Sequence, residues 1–582
     1  MCGIAGIFNF KNISFSKSDE FIIDNLKHRG PDASGIWKSN DEKLKLYHTR
    51  LSIVDLSDDA NQPMDYNGKY KIVYNGEIYN YKILKKKLEY RGHKFKTTSD
   101  TEVILALYDE FSKDSFDMLE GIFAFAIYDI SKQKLIICRD VFGVKPFYYF
   151  QNSNYFIFSS EVRLIAKINS ELSESSSGWI GFGMLGSVPE PFTIFENLFS
   201  LKPGNVEEID QFGNKSSFSY NSVGKIAFNA QNDYNDKKTI DSNISESIKN
   251  NLIGDVRKSV FLSSGFDSCL ISSISKKYDT SIANLSLSFE EFISTEKDEL
   301  PKAINFSKNN NIEIISKYYS LKDYEKYKNI FFKYMDQPSI DGFNIFLISL
   351  LAKNNNFKIG LAGIGGDECF GSYPSFKNIP KMYYLSNFKK RSQITELLNQ
   401  KIYFQNNSFL KKIASIIKFS GSIESLYFLQ RSLCLPNELN NAFEKDFIID
   451  GLQKLEIFER MEDTHKNIKN LQIKISLLEL EWYMRNQLLR DADVFGMANS
   501  VEIRVPLLSK EILHKSFLKM NNNHINKKYL KANYYPDLEF SLKKLGFSFP
   551  IKSWIIKEKK LKSLSNLEWA KYISSNYKNN DF

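Results

Sequence analysis

The spacing of apolar residues changes character once along this 582-residue chain, and that change constrains the fold more than any other feature. Before it, apolar residues fall in short runs at 3–10, 44–50, 70–74, 122–128, 135–139 and 155–159, each bounded by Gly, Asn, Asp or Ser. Such runs read as strands. Only 79–90 and 101–111 carry helical spacing. Many short strands with few helices predict an α+β unit of two packed sheets with helices outside, an αββα sandwich. After the change, helical spacing at 240–252 precedes a short strand at 259–262 and a helix opening at 269–274. Further strands at 282–287, 312–315 and 357–361 are separated by helical segments. This alternation predicts βαβ units and a parallel sheet, an α/β unit. From 375 onward the chain reads as a mostly helical extension with Lys/Asn-rich connections. The polar, weakly periodic stretch 215–238 reads as a linker. The expected organisation is therefore 1–214, a linker at 215–238, and 239–582.

Composition narrows the class of partner. Apolar residues make up 42% and charged residues 25%, as in ordinary globular proteins, which argues against disorder and collagen-like structure. Lys+Arg 78 against Asp+Glu 69 leaves +9, a weak bias with no basic stripe, so no nucleic-acid partner is expected. No stretch approaches ~18 uncharged apolar residues, and the N-terminus lacks a basic leader, so neither a membrane span nor a signal peptide is expected. A cytoplasmic location is the expectation. The cysteines Cys2, Cys138, Cys269, Cys369 and Cys434 are odd in number, scattered and free of any CxxC, which suggests a reducing compartment. The histidines His28, His48, His93, His465, His514 and His524 form no H-x-x-x-H pair, so no zinc site is expected.

Cys2 is placed unlike the other cysteines. Removal of the initiator Met makes it the first residue, with a thiol beside a free amine. The thiolate is the nucleophile, with a free-thiol pKa of ~8.5. An α-amine with a pKa of ~7.7–8.0 can take the thiol proton near neutrality, which is the logic of N-terminal Thr nucleophiles. A small buried residue at the start of a strand is the plainer reading of Cys2 alone.

Cys2 stands in a series. Cys2-Gly3-Ile4-Ala5-Gly6 is followed by His28-Arg29-Gly30-Pro31-Asp32, Arg50-Leu51-Ser52-Ile53-Val54-Asp55, Asn75-Gly76-Glu77-Ile78-Tyr79-Asn80 and Ser99-Asp100-Thr101-Glu102. Arg139-Asp140, Gly143-Val144-Lys145-Pro146 and Ser159-Ser160-Glu161 continue it. In this order the blocks resemble the class II glutamine amidotransferase domain, in the form carried by asparagine synthetases. The resemblance implies Cys2 as nucleophile, with Asn75 and Gly76 as the oxyanion hole. A side-chain N–H and a backbone N–H suit that role. Arg50 can pair bidentately with the α-carboxylate of glutamine. Glu77 and Asp100 can hold its α-ammonium, and Ile53 and Asn75 complete the glutamine site that the resemblance implies. His28 and His48 read as structural.

A second site follows the linker. Leu262-Ser263-Ser264-Gly265-Phe266-Asp267-Ser268 lies between an apolar strand and a helix, where backbone N–H groups cradle anions. Asp267 can hold Mg²⁺ against phosphate oxygens. The segment resembles the pyrophosphate loop of ATP pyrophosphatases. Gly363-Ile364-Gly365-Gly366-Asp367-Glu368 lies at a second strand's carboxyl end, where α/β sheets bind ligands. It is followed by Arg490-Asp491, Met497, Glu502-Ile503-Arg504-Val505-Pro506 and Lys544-Leu545-Gly546-Phe547. These blocks resemble the synthetase domain of asparagine synthetases, so the resemblance spans nearly the whole chain. It implies ATP as co-substrate, Mg²⁺ on Asp267 and Asp367, and Lys544 against the pyrophosphate. It also implies Leu262 and Leu287 about the adenine, Ala362 and Gly363 meeting the nucleotide through the backbone, and often a homodimer.

The implied reaction is glutamine hydrolysis coupled to adenylation of a carboxylate, L-aspartate in the family, and to transfer of ammonia through an internal tunnel. Several positions depart from the family pattern. Ser264 replaces a glycine, so either its φ is negative or the loop is strained. Ile364 replaces a glutamate implicated in proton handling, a task isoleucine cannot perform. Leu542 and Ser509 replace a frequent Arg and Asp. These departures, with the segment 336–344, keep a second acceptor class open, the uronic acid of a sugar in surface-polysaccharide synthesis. They also leave open a catalytically degenerate glutamine or nucleotide sensor.

Overall fold

The computed structural model describes residues 2–233, 239–386, 421–521, 526–540, 549–559 and 561–580. The first strands are β1 (Gly3–Asn9), β2 (Ala33–Lys38), β3 (Leu44–Arg50), β4 (Met64–Tyr66), β5 (Tyr70–Ile78) and β6 (Gly121–Asp129). They are followed by β7 (Lys134–Arg139), β8 (Tyr148–Gln151), β9 (Tyr155–Ser159), β10 (Leu198–Ser200), β11 (Asn205–Asp210) and β12 (Lys215–Ser219). They form two antiparallel sheets, ordered β10-β8-β9-β1-β3-β2 and β12-β11-β7-β6-β5-β4.

Period-2 alternation decides what each face buries. On β1, Ile4 and Phe8 point between the sheets, where they meet Val73, Ala124, Ala126 and Ile137. Ala5 and Ile7 point the other way and pack with Ile22 and Leu26 of the helix Asp19–Leu26. The second sheet is covered by the helices Tyr81–Glu89 and Asp100–Phe111, whose Leu84, Leu88 and Leu105 cluster with Ile72, Tyr74 and Phe125. Fully burying one such side chain contributes about 1.5–3 kcal/mol. The predicted αββα sandwich is the observed one.

The second unit holds β13 (Lys258–Phe261), β14 (Ala283–Phe289), β15 (Glu313–Tyr319), β16 (Ile359–Leu361) and β17 (Glu502–Arg504). All four pairings are parallel, in the order β15-β14-β13-β16-β17. Every residue of β14 is buried, as expected of a strand covered on both faces. The helices Ile240–Asn251 and Phe266–Tyr278 share one cluster with Val260 and Leu361, and Phe343–Asn354 shares another with Ala283 and Leu285. Strand order reverses between β13 and β16. A crevice forms at such a switch point, outside the strands' carboxyl ends.

Two expectations change. The stretch 215–238 is structured wherever it is described. Lys215–Ser219 is the edge strand β12, paired with β11. Only Phe218 is turned even partly inward, so the strand's composition is polar. Val223–Asn232 is a helix burying Val223, Ile226, Ala227 and Ala230 at helical spacing. The largely helical C-terminal region also returns a strand, β17, to the sheet. The two halves are in direct contact. Asp336 accepts hydrogen bonds at 3.0 Å from the backbone N–H groups of Val162 and Arg163, at the start of the helix Val162–Ile168.

Candidate active sites

Cys2 lies just ahead of β1, and its backbone nitrogen donates to Asn75 Oδ1 at 3.0 Å. Asn75, Gly76 and Glu77 sit on β5, whose register with β6 is set by nine successive pairs from Tyr70↔Asp129 to Ile78↔Gly121. That register puts Gly76 against the neighbouring strand. A Cβ there would lie 2.1 Å from Ile122 O, so only glycine fits. Asn75 is fully buried, and its Nδ2 has no hydrogen-bond partner among the described residues. A buried amide donor left open beside a thiol is what an oxyanion hole supplies.

Arg50 ends β3. Its guanidinium is fixed by Ser57 O at 2.7 Å, Asn61 Oδ1 at 2.8 Å and Asp55 O. Cys2, Arg50, Ile53, Gly76, Glu77 and Asp100 line one small cavity of about 30 Å³, and Asn75 adjoins Gly76 on the same strand. Burial pushes the Cys2 thiol up, against the pull of the chain's amino terminus, the Leu51 N–H and Arg50. Burial also raises Asp100, which accepts from Ile78 N–H at 2.9 Å and Tyr74 Oη at 2.8 Å. His48 is held down to about 3 by burial, so it stays neutral, with Nε2 at 3.2 Å from Tyr74 O. His28 pairs with Glu161 at 2.8 Å.

One lining residue of this cavity, Glu77, is in ion-pair contact with the other half of the chain. Arg504 Nη2 lies 3.3 Å from Glu77 Oε1, and Arg504 Nε donates to Glu502. Burial drives Glu77 well up, with Glu502 and Asp100 adding to the rise and Arg504 opposing it. Glu502 is pulled down to about 2 despite burial, by Arg504, the amino terminus and Lys145. The block from Glu502 to Pro506 is visible in the sequence, but nothing in its spacing points to the cavity at Cys2, more than 400 positions upstream.

The second site occupies the switch point. Between β13 and the helix Phe266–Tyr278, Ser268 Oγ ties the loop by accepting from Ser263 N–H at 3.1 Å. Gly265 N–H donates to Ser263 Oγ at 3.1 Å. Ser264 is not among the residues of positive φ, so the serine at this position introduces no left-handed strain. Its buried hydroxyl has no partner among the described residues.

The loop after β16 closes on the first. A Cβ on Gly363 would lie 2.9 Å from Asp267 Cβ, and one on Gly366 would lie 2.4 Å from Asp267 Oδ1. Gly365 holds φ +95°, which glycine adopts freely. These glycines bring Asp267 and Asp367 together, and Lys527 Nζ donates to both carboxylates. Asp267 Oδ1 is buried with no hydrogen-bond partner among the described residues. Two carboxylates beside an anion cradle fit Mg²⁺, which is usually held by one or two carboxylates plus substrate phosphates. Lys527 was not anticipated, because it lies in an Asn/Lys-rich run that reads as composition bias.

Leu262 and Leu287 are buried at the carboxyl ends of β13 and β14. Ala362 and Gly363 open the second loop, and Ala362 N–H donates to Arg504 O at 2.9 Å. Ile364 packs on a small cluster of Ala362, Ala492 and Ile503, an apolar setting that suits isoleucine. Glu368 accepts from Tyr373 Oη at 2.9 Å and is pushed up to about 7 by burial. Lys544 and Leu542 lie outside the described residues.

Residues 1–220 match the family described as glutamine amidotransferase domain, and residues 239–570 match the family described as asparagine synthase. The chain is 29% identical to the glutamine-hydrolyzing asparagine synthetase 1 of Bacillus subtilis, over 96% of this chain and 88% of the relative. It is 30% identical to the putative glutamine-hydrolyzing asparagine synthetase 2 of Methanocaldococcus jannaschii, over 79% of this chain and 90% of that one. Asparagine synthetase B of Escherichia coli is 32% identical across 48% of this chain and 45% of its own length.

Proposed function

This chain belongs to the asparagine synthase family and is an amidotransferase of the glutamine-hydrolysing asparagine synthetase type; from that premise we propose that Cys2 releases ammonia from glutamine and that the second site adenylates L-aspartate to receive it. One observation carries the reading. The paired strands β16 and β17 touch both sites, with Arg504 at Glu77 of the glutamine cavity and Leu361 leading into the loop that carries Asp367.

In the glutamine site, once Met1 is removed, the Cys2 amine takes the thiol proton and the thiolate attacks the side-chain amide carbon. Asn75 Nδ2 and Gly76 N–H receive the oxyanion. The amine returns its proton to the leaving ammonia, and water hydrolyses the thioester to glutamate. Arg50 holds the α-carboxylate, and Glu77 with Asp100 holds the α-ammonium.

In the second site the acceptor carboxylate attacks the α-phosphorus of ATP and pyrophosphate leaves. Ammonia then displaces AMP from the acyl-adenylate. When bound, Mg²⁺ neutralises phosphate charge. Asp267 and Asp367 would hold it, and Lys527, which pairs with both carboxylates, would supply a neighbouring point charge. The Ser263–Ser268 loop cradles the pyrophosphate. The apolar patch of Ala362, Ile364, Ala492 and Ile503 adjoins the loop that carries Asp367, and its character suits the passage of a neutral molecule.

Ile364 favours a second reading of the acceptor. The loop offers no carboxylate at that position, which makes a sugar uronate the alternative acceptor to test beside L-aspartate. The test replaces Cys2 with alanine and follows pyrophosphate. Glutamine-driven turnover should vanish while ammonium-driven turnover persists, with AMP rather than ADP as the nucleotide product. Survival of glutamine use would overturn the nucleophile, and ADP would overturn the adenylate. Pyrophosphate release against L-aspartate and a panel of uronates decides the acceptor.

A further inference from the structure

A residue from the synthetase half stands behind the glutamine cavity, against its lining residue Glu77. Arg504 is fully buried and held on several sides at once. Its Nε donates to Glu502, and its Nη1 donates to Asn251 O at 2.8 Å and to Ile253 O. Its backbone carbonyl accepts from Ala362 N–H at 2.9 Å, and β17 pairs it with Leu361. The guanidinium is therefore fixed from its own half of the molecule. The direction left to it is Nη2, and that lies 3.3 Å from Glu77 Oε1. The segment that Arg504 grips continues to Gly254 and Asp255, where Asp255 N–H donates to Ile53 O at 2.9 Å, a second wall of the same cavity.

Glu77 has two competing fates. It is buried beside Glu502 and Asp100, both of which disfavour its ionised form. A protonated Glu77 gives no counter-charge to an ammonium ion. A fixed guanidinium on its far side opposes protonation and orients one carboxylate oxygen, leaving the other for the cavity. Lysine would keep the charge but lose the planar fork that bonds Glu502 and the two carbonyls and so holds Nη2 in ion-pair contact with Glu77.

We propose that Arg504 is a positioning residue for glutamine binding, acting through Glu77 and supplied to the glutaminase pocket by the strand that also anchors the loop carrying Asp367. The inference rests on reading Glu77 as the partner of glutamine's α-ammonium. Its consequence is that the glutaminase pocket has its full affinity only while β17 is seated against β16.

The test is steady-state glutamate release by the full chain in four forms: native, Arg504→Gln, Glu77→Gln and the double variant. Arg504→Gln should raise KM for glutamine by about tenfold or more, the scale of losing one buried ion-pair contact, with kcat changed by less than about threefold. In the Glu77→Gln background the same substitution should add less than about threefold, because its route of action is already gone. Mg·ATP affinity measured by calorimetry should stay within about threefold of native, which reports an intact fold. Arg504→Lys, which keeps the charge, should recover part of the KM and serves as the test if the glutamine variant does not fold. An unchanged KM in Arg504→Gln, or KM effects that multiply in full in the double variant, would overturn the proposal. An unchanged KM in Glu77→Gln alone would instead refute the reading of Glu77 on which it rests.

Discussion

Replacing Asn75 by alanine separates chemistry from binding more cleanly than any other change in the glutamine cavity. Asn75 lies within β5 opposite Ala124, so alanine keeps the strand ladder intact. Two things are lost. Nδ2, buried and without a partner among the described residues, no longer meets the oxyanion. Loss of one such donor costs about 2.7–4 kcal/mol in the transition state, a fall of about 10²–10³ in kcat. Oδ1 no longer accepts from the Cys2 nitrogen at 3.0 Å, which adds about 0.5–1.5 kcal/mol of lost ground-state ordering. Neither atom holds the α-carboxylate or α-ammonium, so KM for glutamine should move by less than about threefold. The assay is glutamate release at varied glutamine, with ammonium-driven pyrophosphate release as the control that should stay at the native rate. A kcat loss below about tenfold, or a rise in KM that accounts for most of the lost kcat/KM, would refute the oxyanion assignment.

Gly76→Ala should abolish glutaminase activity and destabilise the first domain by several kcal/mol, because its Cβ would sit 2.1 Å from a backbone oxygen that β6 holds in place; an active, equally stable variant in thermal melts would refute the close approach. Asp367→Asn should lower acceptor-dependent pyrophosphate release by about 10² or more at any Mg²⁺ concentration while leaving glutamate release from glutamine intact; a native rate would exclude Asp367 from the metal site. Burial, with Glu161 adding like charge, raises Asp336 from 3.8 to about 6. The folded state thus holds this proton more tightly than the unfolded one, so the contribution of this group to stability falls as pH rises from about 4 to about 6 and is level above. Asp336→Asn should flatten that part of the melting-temperature profile, and a native-like slope in the variant would remove Asp336 as its cause.

What the sequence made legible, and what it hid, has a common physical basis. The strands β1, β3, β6 and β9 are apolar runs because at least one face meets a core. The two loops at the switch point are legible because glycine and serine cluster where backbone must approach an anion. The edge strand β12 is exposed at nearly every position, so its five residues carry no apolar signal. The linker reading of 215–238 failed for that reason. β17 hides for the opposite reason. Its outer residues, Glu502 and Arg504, are charged and fully buried, and a pattern that equates burial with apolar side chains cannot register them. They are tolerated because each neutralises the other and Arg504 reaches Glu77, a partner more than 400 positions away. Lys527 is hidden in the same way: its significance comes from two aspartates that the fold brings to it from different loops.

The setting of Ile364 bears on how the acceptor's proton is handled. Ammonia attacking an acyl-adenylate becomes an ammonium-like adduct that must lose a proton before AMP leaves as a good leaving group. A glutamate at this position would lie against Ala362, Ala492 and Ile503, where an unpaired carboxylate costs several kcal/mol. With isoleucine there, the patch stays apolar and admits neutral ammonia more readily than ammonium. The proton must then be taken on the acceptor side, by the adenylate's phosphate, by the acceptor itself or by the neighbouring Glu368, which burial holds at about 7 and Tyr373 orients. On the proposed reading, proton handling is thereby moved away from position 364 and toward the groups that surround the adenylate, which is why the pyrophosphate screen must compare acids that differ in what they place beside that carboxylate.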